Sequence, residues 1–117
     1  MGFEFSRANR QAVDGVAQRI VEMDVWDQDF VDLDVPGHFT FEDDQVGHFQ
    51  FGLVRGSLDC RYEAARARVE FSWEGVDDAD DARGRGWAEV DGDRLRGRFF
   101  IHMGDDSGFE ARRARPG

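Results

Sequence analysis

Bulky apolar residues recur at every second position in a series of short stretches between Phe39 and Met103. That period of two is the mark of half-buried β-strands. In the most regular stretch Leu95, Phe99, Ile101 and Met103 share one face with Gly97, and Arg94, Arg96, Arg98 and His102 share the other. Gly104-Asp105-Asp106-Ser107-Gly108 then has the composition of a polar turn, and a second strand follows to Arg113. Upstream, His38–Glu42 alternates. Val46–Val54 sets Phe49, Phe51 and Leu53 against His48 and Gln50. Leu58, Cys60 and Tyr62 alternate with Asp59, Arg61 and Glu63, and Val69, Phe71 and Trp73 alternate with Glu70, Ser72 and Glu74. Gly86–Val90 reads as a strand closed by the hairpin turn Asp91-Gly92-Asp93. Phe30–Val35 reads as a first strand, stopped by Pro36-Gly37. Gly75–Gly84 carries no such alternation and reads as the longest loop, dense in Asp.

The N-terminal part has a different period. Val13, Val16, Ala17, Ile20 and Val21 follow the i, i+3, i+4, i+7, i+8 spacing of a helix face, with Ser6 as its cap. The spacing predicts a helix within residues 6–24. Gly15 in its middle and Arg7 and Arg10 in its first turn weaken it, so it needs packing to hold. The expected fold is therefore mainly β, in one domain over 1–117: an N-terminal helix, then an antiparallel meander of about eight short strands over 26–113. Closure into a small barrel, or a strongly curved sheet, fits the glycines spread along the strands.

Composition adds what fills the interior and what stays away from the surface. Eleven Phe and 3 Trp give a chain of mean hydropathy -0.62 enough rings for a core. The net charge of -10 argues against nucleic acid or an anionic membrane as partner. Every cation is Arg, which fits either a GC-rich coding sequence or an acidic surface adapted to high salt. Cys60 is the single cysteine, no apolar run approaches the ~20 residues of a membrane span, and no signal-like start is present; a cytoplasmic setting is expected.

Phe49-Gln50-Phe51-Gly52, Val69-Glu70-Phe71-Ser72-Trp73-Glu74-Gly75, Gly84-Arg85-Gly86-Trp87-Ala88 and Phe100–Phe109 resemble segments of a family of short, uncharacterised prokaryotic β-rich proteins. The resemblance spans about residues 30–113 and excludes the N-terminal helix. It implies no activity and assigns no residue a role.

The residues that can carry chemistry fall on the polar strand faces. His38 and His48 have equal parity on neighbouring strands, and with His102 they make three imidazoles from different strands, a set zinc can use. Solvated surface histidines are the commoner case, and neither metal nor cofactor is expected. The Asp77–Asp81 run lacks the Gly and Glu of a calcium loop and reads as a solvated loop. Arg61, Glu70, Glu74, Arg98 and His102 form the candidate polar site. They predict either cross-strand ion pairs or a general acid–base pair of Glu70 or Glu74 with His102. Trp87 and Phe100 alternate out of phase with the core, so their face should be covered, by the helix or by a second copy of the chain. The expected function is a non-catalytic module that binds a protein partner, itself included, or a small ligand. The alternative is a small hydrolase or isomerase using the Glu/His pair.

Overall fold

The computed structural model describes residues 17–42 and 45–114. Eight strands run in chain order: β1 (Ala17–Met23), β2 (His38–Phe41), β3 (Val46–Phe51), β4 (Val54–Glu63), β5 (Arg68–Asp77), β6 (Asp80–Asp91), β7 (Arg94–Ile101) and β8 (Asp106–Arg113). Each is antiparallel to the next, and β1 also pairs with β8, so the sheet closes into a barrel. A four-residue helix, α1 (Gln28–Val31), lies between β1 and β2. Among the described residues no helix is long and apolar enough to cross a membrane.

The alternation dictates which way the sheet curls. Phe39, Phe41, Phe49, Phe51, Phe71, Trp73, Phe99 and Phe109 all point inward and are buried. Their rings meet across the axis: Phe39 and Phe109 at 4.7 Å, Trp73 and Phe99 at 5.0 Å, Phe49 and Phe99 at 5.1 Å between centroids. Burying each such side chain is worth roughly 1.5–3 kcal/mol. The space for them comes from inward positions with no side chain. Gly86 lies between Phe71 and Phe99 in register, and a Cβ there would sit 2.5 Å from the Phe71 ring. Large residues opposite small ones let a narrow barrel fill completely.

The segment from Asp24 to Gly37 closes one end. Asp27 caps α1 by accepting from the Phe30 N–H at 3.0 Å, and Val31 is fully buried. Gly52, in the β3–β4 turn, donates its N–H to the Val31 carbonyl, and its φ of 57° suits a glycine. The Trp26 ring rests on Phe51, 5.0 Å away.

Four expectations are corrected. Residues 1–16 lie outside the described residues, but Ala17–Met23, the rest of the expected helix, is strand β1. Its pairing with β8 shifts between Ile20 and Glu22, so the inward positions are 18, 20 and 23. Of the apolar residues that spelled the helical period, Ile20 is inward, whereas Val21 is 41% exposed. The expected strand Phe30–Val35 is instead α1 and its exit, because Asp27 supplies a cap and the Asp32 carboxylate binds the Gly37 N–H at 2.8 Å. The expected loop Gly75–Gly84 is a β-hairpin whose turn is only Asp78-Ala79. Its inward residues there are Gly75, Ala82 and Gly84, too small to produce a visible alternation. Finally β7 stops at Ile101; His102 and Met103 are in the turn, and Met103 is 94% exposed instead of inward.

Candidate functional site

On the outside of the barrel the register sets residues in rows. One row runs Arg61, Glu70, Trp87 and Arg98 across β4 to β7. The next runs Asp59, Ser72, Arg85, Phe100 and Asp106 across β4 to β8. A third sets Ser57, Glu74 and Arg83 side by side. These rows form because outward positions alternate strictly with the rings and glycines of the core.

The five residues of the expected polar site share this face but do not converge. Arg61 is opposite Glu70 in register, yet its guanidinium turns to Asp59, 2.6 Å away, and to the Cys60 carbonyl. Glu70 instead accepts from Arg68 at 3.2 Å, and Arg68 also reaches Glu89 at 3.1 Å. Arg98 binds Asp106 at 2.6 Å. Glu74 and His102 remain; both line one groove, and among the described residues neither is in an ion pair. Exposed pairs of this kind are worth under about 1 kcal/mol each.

Of the shallow grooves on this surface, three lie beside Trp87 or Phe100. The first, of about 650 Å³, lies over Gly84 and is lined by Ser72, Glu74, Arg83, Arg85, Phe100 and His102 among others. Beneath its floor, on the inner side of the sheet, the Trp73 indole passes Gly84 to donate to the Phe100 carbonyl at 3.0 Å. The second, over Gly86, holds Arg61 and Glu70 beside Trp87. The third, over Gly97 and Gly108, holds Arg98 on the other side of Trp87.

Trp87 and Phe100 are half-buried on the outer face, and arginines of this same sheet cover them. The Arg68 guanidinium carbon is 4.2 Å from the Trp87 ring centroid, and that of Arg85 is 5.1 Å from the Phe100 centroid. Such stacking is worth roughly 0.5–1 kcal/mol at exposed sites. Arg83, Arg85 and Ser72 were not among the expected site residues. Their signal is the run Arg83-Gly84-Arg85-Gly86, a strand alternating large-out with small-in, which looks like a loop when only bulky apolar residues are counted.

The histidines divide. The His38 and His48 rings stand edge-on at 5.6 Å, on diagonal positions, since His38 is opposite Gln50 and His48 opposite Thr40. His38 Nδ1 is 3.0 Å from the Pro36 carbonyl and His48 is 3.9 Å from Glu42. Among the described residues no three His, Cys, Asp or Glu side chains group as metal ligands. Cys60 is buried in the core.

Comparison of the chain with protein-family models, with curated proteins and with solved structures finds no match.

Proposed function

We propose that the protein is a non-catalytic binding module that takes its ligand or partner on the outer face of β5, β6 and β7. The observation that carries this reading is the division of its aromatic residues. The inward rings are packed against one another within 4.7–6.4 Å and occupy the axis where an open barrel would hold a ligand. Trp87 and Phe100 are the aromatics displayed on the opposite side of that sheet, next to grooves. Rings and arginines are the residues most often found at the energetic centre of binding surfaces. A second copy of the chain is one partner such a face can take.

A fragment screen read by amide NMR tests the reading. Hits should shift the amides of Ser72, Arg85, Trp87 and Phe100 and leave those of Phe39 and Phe49 in place. Hits that collect at the α1 end, or none on the β5–β7 face, overturn it. For the second copy, light scattering decides: association that Phe100→Glu weakens supports a dimer through this face, and a wild-type monomer removes it.

The enzymatic alternative, a hydrolase or isomerase, has in its favour that Glu74 and His102 line the same groove. An activity lost equally in Glu74→Gln and His102→Gln would support it over the module.

A further inference from the structure

The groove over Gly84 has a cationic side and an apolar side, and, resting on the binding-module reading, we propose that it holds the carboxylate of a flat apolar monoacid, an aromatic acid. Arg83 and Arg85 lie two apart on the outer face of β6 and both line it. Among the described residues neither has a carboxylate within ion-pair distance, whereas Arg61 on β4, Arg68 on β5 and Arg98 on β7 each hold at least one. The Arg85 guanidinium is stacked over Phe100, 5.1 Å from its centroid. A guanidinium held against a ring keeps its N–H edge free in its own plane, the geometry that binds a carboxylate through two parallel hydrogen bonds. Stacking also orders it in advance, so less side-chain freedom is lost on binding.

The apolar body of the ligand has its own wall. Phe100 lines the groove beside Arg85, and Ile101 and the buried Trp73 lie along its floor. The volume of about 650 Å³ falls within the range of pockets that take small organic ligands. His102 stands on the rim, in a turn tied to β6 by its N–H donating to the Arg83 carbonyl at 2.8 Å.

Two features narrow the ligand further. Glu74 lines the same groove opposite Arg83 in register, so a second acid group on the ligand would meet a like charge. The net charge of -10 repels a polyanion more than a monoanion, since the repulsion scales with the charge of the ligand. A monoacid with one ring satisfies both.

The test is an amide NMR titration of the full chain with phenylacetate. Saturable shifts are expected at Ser72, Arg85, Phe100 and the Trp73 indole N–H. Arg85→Gln should weaken binding by about tenfold or more, the loss of a charge-assisted bond, with a spectrum still dispersed. Should that variant lose its fold, Arg83→Gln, also on the surface, gives the same reading with a smaller loss. Phenethylamine, with the opposite charge, and inorganic phosphate, with no ring, should each bind at least about tenfold more weakly. The proposal is overturned if either binds as tightly, if Arg85→Gln changes nothing, or if phenylacetate gives no saturable shift at these residues. If it fails while other fragments still collect on β5–β7, the module reading survives; if nothing binds that face, both fall.

Discussion

The indole N–H of Trp73 donates to the backbone carbonyl of Phe100 across the position of Gly84, at 3.0 Å. The bond spans from β5 over β6 to β7, and it exists only because the middle strand has no Cβ there. A Cβ at Gly84 would come within 1.8 Å of the Phe100 oxygen and 2.6 Å of Trp73 Nε1. Gly84→Ala is therefore expected to cost about 1–3 kcal/mol, as overpacking does, plus about 1 kcal/mol for the lost hydrogen bond. Urea unfolding measures the cost. The Trp73 indole proton should move toward solvent exchange in the same variant, and an unchanged indole resonance would contradict the account.

Core and surface should differ sharply. Phe99 meets Phe49, Phe51 and Trp73 at 5.0–5.1 Å. Phe99→Ala is expected to cost about 3–5 kcal/mol by leaving a cavity among rings that cannot collapse. Arg98→Ala, which removes the neighbouring bond to Asp106, should cost under about 1 kcal/mol. Denaturation midpoints of the two variants check the contrast; similar losses would mean that outer ion pairs, not the ring core, hold the barrel.

Asp27→Ala removes the cap of α1, at a typical cost of about 1 kcal/mol. Because α1 places Val31 over the barrel end, the loss should appear first as faster amide exchange at Gly52, whose N–H binds the Val31 carbonyl. Uniform loss of protection over all strands would argue against an end piece that opens on its own.

Arg68 is held by two carboxylates and sits over the Trp87 ring, with its side chain only 16% exposed. Arg68→Gln should release the indole of Trp87 to solvent, seen as a shift of its side-chain N–H resonance, and cost about 1 kcal/mol. The Trp73 and Trp26 resonances should stay in place, and movement of all three would point to a general loosening of the fold.

How much of this was legible in the chain depended on the size of the inward residue. Where Phe39, Phe49, Phe71 or Phe99 marked the inside, the inward face was legible, although Leu53 and Met103, expected on that face, lie exposed in turns. Where glycine or alanine took the inward place, as at Gly75, Ala82 and Gly84, the period vanished and a hairpin passed for a loop. At β1 the helical period was spelled in part by Val21, an apolar residue that the strand leaves exposed. The candidate site suffered from the same blindness. Arg61, Glu70, Trp87 and Arg98 could be placed on one face by parity, and they do line up in register. Which partner each guanidinium chooses, Asp59 for Arg61 and Asp106 for Arg98, depends on side-chain reach and not on parity.

Closure has a consequence for how this chain can go wrong. With β1 bonded to β2 on one side and β8 on the other, every described strand has neighbours on both flanks, and no whole strand is left as an edge onto which a foreign strand can add. The seam to watch is the junction of β1 with β2, tied by three register pairs where β5 and β6 share ten. Unzipping there turns the ring into a ribbon with two sticky borders, so clumping should follow the rate at which that seam opens, long before the Phe-filled interior is lost.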